Sequence, residues 1–139
     1  MRFIDSSVFL YAFLKPKRKI PKDVLELKEK AKNILIRIDE GEDVATTVVH
    51  VSEIANILES HVSKTKSVEY IEAILGKPSI HIYDVDVASY IEAVLKAKEY
   101  AIGINDALAL VFMEKLGIKE IYSFDKDFDK IKNIRRVYE

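Results

Sequence analysis

Four acids stand out by type and position: Asp5, Glu53, Asp106 and Asp125. Asp5 ends the short apolar entry Arg2-Phe3-Ile4, and Asp125 directly follows the run Glu120 to Phe124, so each interrupts the exit of a predicted strand. Glu53 and Asp106 fall at the starts of predicted helices. Taken singly, either reads as an acid that caps orphan N–H groups and complements the helix dipole. Taken together the four are a liability, because acids within about 6 Å repel and raise one another's pKa unless a cation neutralises them. The chain has no cysteine and only His50, His61 and His81 among histidines, without HxH or HxxxH spacing. Carboxylates are then the main metal donors. An oxygen-only donor set selects hard cations, so Mg²⁺ or Mn²⁺ is expected rather than zinc. Such an ion polarises phosphoryl oxygens and activates water, and phosphodiester hydrolysis is the chemistry this equipment suits.

Other chemistries find no footing in the same residues. No GxGxxG follows the first predicted strand and no GxxxxGK[ST] occurs, which removes dinucleotide and P-loop readings. No GxSxG is present, and His50 beside Ser52 is read as a chance neighbour rather than a nucleophile pair. A receiver-like signalling domain would need an acidic pair after the first strand, where Asp5 stands alone, and a phosphoaspartyl enzyme would need an acid where Ser7 stands.

The elements that must position the acids are legible in the hydrophobic pattern. Arg2 to Ile4 reads as a strand, followed by a turn and the helix-compatible Val8 to Leu14. Pro21 to Glu40 places Val24, Leu27, Ala31, Ile34, Leu35 and Ile38 at helical spacing, with Pro21 near the first turn and Gly41 just past the end. The β-branched Val44 to Val49 predicts a second strand, and Val51, Ile54, Ala55 and Leu58 a helix with Glu53 in its first turn. Helices follow over Lys66 to Leu75 and Val87 to Tyr100, flanking a strand at Ser79 to Val85. Asp106 opens a helix whose body, Ala107 to Met113, is apolar on every face and must be buried nearly all round. A fourth strand at Glu120 to Phe124 and a short fifth at Ile134 to Tyr138 complete the pattern. Strands alternating with helices predict a doubly wound, three-layer α/β/α sandwich around a central parallel sheet. In such sheets function collects outside the carboxyl ends of the strands, where all four acids fall.

At 139 residues, 49% hydrophobic and 32% charged, without repeats or low-complexity stretches, the chain is expected to form one domain over residues 1–139. No apolar run approaches the roughly 20 residues that span a bilayer, and the first residues lack a signal-peptide pattern, so a cytoplasmic protein is expected. The net charge of -1 gives no direction about a nucleic-acid partner. Two basic clusters, Lys15, Lys17, Arg18, Lys19 and Lys22, and Lys126, Lys130, Lys132, Arg135 and Arg136, read singly as solvated surface. Together they are the expected contacts for the phosphates of a phosphodiester substrate. Val68, Tyr70, Ile71 and Ile74, on the short helix Lys66 to Leu75, are expected to be partly uncovered and to offer a surface for a second copy.

The motifs in order resemble the PIN-domain family, and within it the small VapC-type toxin ribonucleases. Phe3-Ile4-Asp5-Ser6-Ser7-Val8-Phe9 is similar to the family's strand followed by Asp-x-Ser/Thr, and Val51-Ser52-Glu53-Ile54-Ala55 to its serine-glutamate helix start. Asn105-Asp106-Ala107-Leu108-Ala109 and Tyr122-Ser123-Phe124-Asp125-Lys126-Asp127-Phe128 match the remaining two motifs, and the set spans nearly the whole chain. The resemblance implies a PIN-like fold and a Mg²⁺- or Mn²⁺-dependent endoribonuclease acting on single-stranded RNA. It further implies Asp5, Glu53, Asp106 and Asp125 as catalytic metal ligands, Ser7 and Ser123 as supporting hydrogen-bond groups, a small antitoxin partner and a homodimer. Asp127 stays open among ligand, supporting group and turn cap. A non-catalytic RNA- or protein-binding module of the same fold, and an RNA-processing nuclease that is not a toxin, stay open as alternatives.

Overall fold

A computed structural model describes residues 1–15 and 21–139; Lys17, Arg18 and Lys19 of the first basic cluster lie outside the described residues. Five strands, β1 (Arg2–Ile4), β2 (Val44–Thr47), β3 (Ile80–Tyr83), β4 (Glu120–Tyr122) and β5 (Arg135–Val137), form one sheet in the order β3-β2-β1-β4-β5. Every neighbouring pair is parallel. Parallel strands need crossovers, supplied by α1 (Ser6–Phe13) and α2 (Lys22–Asp39), then α3 (Val48–His61) and α4 (Lys64–Leu75), then α5 (Val87–Tyr100) and α6 (Ile104–Leu116). A short 3₁₀ helix, Lys126–Lys130, joins β4 to β5.

Side chains alternate across each strand, so one sheet has two cores. Phe3, Ala45 and Ile121 face α5, α6 and Phe128 of the 3₁₀ helix. Ile4, Val44 and Tyr122 face the other way, against Val8, Phe9, Ala31, Ile34, Ile54 and Leu58 of α1, α2 and α3. The result is the α/β/α sandwich predicted from the pattern. Residues Ala107 to Met113 of α6 are all buried, as its all-round apolar character requires. Lys28 on α2 ties down the end of α1, its ammonium donating to the carbonyls of Tyr11 (3.2 Å), Ala12 (3.0 Å) and Leu14 (2.8 Å).

The structure moves several expected boundaries. Val48 and Val49, read as strand for their β-branched side chains, begin α3, because the Thr47 hydroxyl caps the helix by accepting from the His50 N–H. Glu53 therefore lies in the second turn rather than the first. Asp106 is the third residue of α6, which starts at Ile104. The expected partial exposure of α4 fails only for Ile74, which is buried: Val68 is exposed, and Ile71 and Tyr70 are half-buried, Tyr70 stacking on Phe13 with ring centroids 4.3 Å apart. The long apolar exposure is on α5 instead, where Val87, Ile91 and Leu95 are 76%, 56% and 60% exposed. No helix among the described residues is long and apolar enough to cross a membrane.

Candidate metal centre

The chain leaves β1 toward α1 on one face of the sheet and leaves the adjacent β4 toward the 3₁₀ helix on the other. These diverging exits open a crevice at the carboxyl edge, the topological switch point of the sheet. A cavity of about 550 Å³ lies there, lined by Asp5, Ser6, Ser7, Glu53, Asn105, Asp106 and Asp125, with Leu10, Ile57 and Ile104 among its apolar walls.

Asp5, 4% exposed, is the most buried of these acids. Its Oδ2 accepts from the hydroxyls of Ser7 and Ser123, each at 2.8 Å, and those serines in turn accept from the backbone N–H groups of Phe124 (3.1 Å) and Asp125 (3.0 Å). The loops after β1 and β4 are thus stitched together through one carboxylate. Burial pushes the Asp5 carboxyl above the ordinary carboxylate range, against the pull of nearby His50 and the two hydroxyls.

Glu53 reaches the cavity from α3. One of its oxygens accepts from the Ser6 hydroxyl and the other from the Asn105 side-chain amide. Asn105 also connects backward to α3, its carbonyl accepting from Nε2 of His50 at 2.9 Å. His50 is fully buried, its ring set edge-on to Phe3 with centroids 5.2 Å apart, and burial holds it below the ordinary histidine range. Burial thus favours the neutral imidazole, with both ring nitrogens engaged by Thr47 and the Asn105 carbonyl.

Asp106 also carries a large electrostatic penalty. Its carboxyl is pushed up to about 8, first by burial, then by the charge of Asp5, by a hydrogen bond and repulsion with Asp125, and by Glu53. One oxygen each from Asp106, Asp125 and Asp127 lie within 4.8 Å of one another. Ligand oxygens around an octahedral cation with bonds of about 2.1 Å sit roughly 3 to 4.2 Å apart, so this trio needs only small side-chain motion to accept one. The donors are all carboxylate oxygens, as Mg²⁺ and Mn²⁺ prefer.

The four sequence candidates do not play equal parts in this geometry. Asp5, Glu53, Asp106 and Asp125 all line the cavity, but the tight trio contains Asp127 rather than Asp5 or Glu53. Capping divides them in an unexpected way. Thr47 caps α3 and α6 has no side-chain cap, so neither Glu53 nor Asp106 is a cap. Asp125 does cap, its Oδ1 accepting from the Asp127 N–H at 2.9 Å. Ser6, Asn105 and His50 went unread as site residues. Their signal was present only as spacing: His50 and Glu53 three apart on one helix, and Asn105 beside an acid.

The second basic cluster is largely spent on internal pairs. Lys130 holds Asp127 (3.1 Å), Arg136 holds Asp129 (2.9 Å), and Arg135 pairs with Glu120 at the amino-terminal edge of the sheet, away from the cavity. Only Lys126 and Lys132 of this cluster form no ion pair with a described residue.

An acidic cavity at the switch point of a doubly wound parallel sheet lies where open α/β sheets bind their ligands, outside the carboxyl ends of the strands. The chain belongs to the PIN domain family, whose model matches residues 2–134. Its fold is similar to that of VapC20 from Mycobacterium tuberculosis, described as a sarcin-ricin loop cleaving toxin, at TM-score 0.73 and 20% identity, covering 93% of each chain. It is also similar to VapBC2 from Rickettsia felis, solved bound to a fragment of promoter DNA, at TM-score 0.67 and 14% identity over 98% of this chain and 96% of that one. A third likeness is to a toxin-antitoxin complex from Klebsiella pneumoniae, at TM-score 0.62 and 13% identity over 96% and 95%. No curated protein sequence matches the chain.

Proposed function

We propose that this chain is a single-domain, divalent-cation-dependent endoribonuclease spanning residues 1–139, the toxin of a toxin-antitoxin pair, acting on single-stranded RNA in the cytoplasm. The observation that carries the reading is the convergence of the Asp106, Asp125 and Asp127 oxygens within 4.8 Å, in a cavity region whose other acids are Asp5 and Glu53. Asp5, Glu53, Asp106 and Asp125 hold Mg²⁺ or Mn²⁺, with Asp127 completing the trio. A bound cation would supply charge stabilisation at a phosphoryl oxygen and a lowered pKa for the attacking water.

The chain's own residues do the rest. Ser7 and Ser123 fix Asp5, Ser6 and Asn105 fix Glu53, and both carboxylates keep lone pairs free for ligation. Asp106 would hold a cation as its carboxylate, since positive charge among the acids would offset the repulsion that raises its pKa. Family membership and the likeness to VapC toxins support the nuclease reading, and the two toxin-antitoxin complexes among the similar structures support a small protein antitoxin as partner.

The test is cleavage of a labelled single-stranded RNA with Mg²⁺ or Mn²⁺, with EDTA, and with Asp5→Asn. Cleavage should need the cation and vanish with EDTA and in the variant. Cleavage that survives EDTA, or none with either metal, overturns the reading. Growth arrest on expression, relieved by Asp5→Asn, tests the toxin role.

A further inference from the structure

Asn105 is gripped from both ends by one face of α3. His50 and Glu53 sit three residues apart, one helical turn, and so share that face. The His50 ring meets the Asn105 backbone carbonyl at 2.9 Å, and the Asn105 side-chain amide donates to a Glu53 oxygen. A carbonyl only accepts, so Nε2 of His50 carries the proton, and Nδ1 is left to accept from the Thr47 hydroxyl at 2.7 Å. Thr47, at the end of β2, is itself fully buried, as is His50. The chain Thr47, His50, Asn105, Glu53 thus closes a ring of hydrogen bonds between the start of α3 and the start of α6.

The residue after Asn105 is Asp106. Its helix start has no side-chain cap, and Asn105 is the link from that start to Glu53. We propose that His50 and Asn105 are positioning residues: together they set the spacing of Glu53 from Asp106 and so the cation affinity of the cavity. The proposal rests on the cation-site reading above. An ordinary buried histidine, satisfied for packing alone, would show the same two ring partners, but Asn105 would then have no need to turn its amide onto an acid of the cavity. An error of about 1 Å in ligand placement is enough to weaken a metal site.

The experiment compares two amides at position 50. A Gln amide nitrogen stands close to where Nε2 stands and can still donate to the Asn105 carbonyl, whereas an Asn amide stands near Nδ1 and cannot reach it. Mn²⁺ affinity is read by electron paramagnetic resonance on the free protein, with no RNA present. His50→Gln should bind Mn²⁺ within about twofold of wild type and His50→Asn about tenfold more weakly, the loss seen when a group supporting a metal ligand is removed. In RNA cleavage, kcat of His50→Asn should fall while KM stays level.

Asn105→Ala leaves the core untouched and supplies the second arm, so the proposal stays testable if His50→Asn does not fold. It too should weaken Mn²⁺ binding about tenfold, with unchanged circular dichroism. If wild type binds Mn²⁺ and either His50→Asn, folded, or Asn105→Ala binds it as tightly, the positioning role is overturned while the metal site stands. A wild type that binds no Mn²⁺ removes the metal site itself, and the positioning role with it.

Discussion

Asp106 is the residue on which chemistry and stability pull in opposite directions. Its carboxyl, pushed up to about 8, stays protonated near neutral pH when no cation is present, and the proton is shared with Asp125. In the unfolded chain the same group titrates near 3.9, so between those values the folded state binds the extra proton. Stability contributed by this group is therefore complete below about pH 4 and declines as pH rises toward 8. Asp106→Asn is neutral throughout and escapes the decline. With about 1 kcal/mol left after solvent screening of this half-buried site, the metal-free variant should melt about 2–4 °C above wild type at pH 8.5. The two curves should converge at about pH 4 and below. The variant should also lose RNA cleavage, and Mn²⁺ should raise the wild-type Tm more than its own, because only the intact site binds the ion tightly to the folded state. A scan of Tm against pH for both proteins checks this. A gap that stays constant with pH, or a variant that melts several degrees lower, makes Asp106 a structural group. The acids of the cavity were visible in the sequence because each stands at a strand exit or near a helix start. The residues that hold them were not. Ser6 reaches Glu53 across 47 positions and Asn105 across 52, and no local pattern records such a bond. Asp127 was undecidable for another reason: an Asp-x-Asp pair gives the same pattern whether the second acid is a ligand or part of a capped turn, and here Asp125 is both cap and neighbour.

Element boundaries show where local propensity gives way to tertiary structure. Hydrophobic period alone located the five strands and six α-helices of the described residues, because each buries a face against the sheet. It misplaced the start of α3, where Val48 and Val49 favour strand but the Thr47 cap starts a helix. Two residues of helix displaced Glu53 by half a turn, away from the helix start and onto the face that lines the cavity. The end of α5 carries a cost the sequence does not advertise. Ala101 closes that helix at φ 54°, ψ 49°, in the left-handed region that glycine occupies freely and alanine does not. Its side chain is exposed, so nothing is lost by removing the Cβ. Ala101→Gly should therefore stabilise the protein by about 0.5–1 kcal/mol, a Tm rise of roughly 2–4 °C, after allowance for the greater freedom of glycine in the unfolded chain. Gly117, which ends α6 at φ 69°, already makes that choice, and Gly117→Ala should cost a similar amount. Thermal melts of the two variants should move in opposite directions; movement in the same direction would contradict the backbone argument.

For the whole molecule, a net charge of -1 leaves partner binding to local surfaces, and those surfaces are not where the sequence placed them. With Lys130, Arg135 and Arg136 engaged by acids, Lys126 and Lys132 are the described members of the second cluster available to phosphates. RNA affinity should fall as salt rises, and replacing both lysines by alanine should reduce the log-log salt slope by about 1.4, roughly 0.7 for each single-strand phosphate no longer neutralised. A slope unchanged by the double variant would exclude both lysines as phosphate partners. Self-association, in turn, is expected at α5 rather than α4. Val87, Ile91 and Leu95 recur every fourth residue and leave one apolar stripe uncovered along the helix. Such a stripe is costly in water, and a second copy packed on it about a two-fold axis would cover both stripes at once. Wild type should then scatter light as a dimer at micromolar concentration, and Leu95→Glu, which sets a charge against the apolar stripe of the other copy, should scatter as a monomer with unchanged circular dichroism. A wild type that is monomeric on its own, or a Leu95→Glu dimer, leaves the α5 stripe without a second copy to cover it.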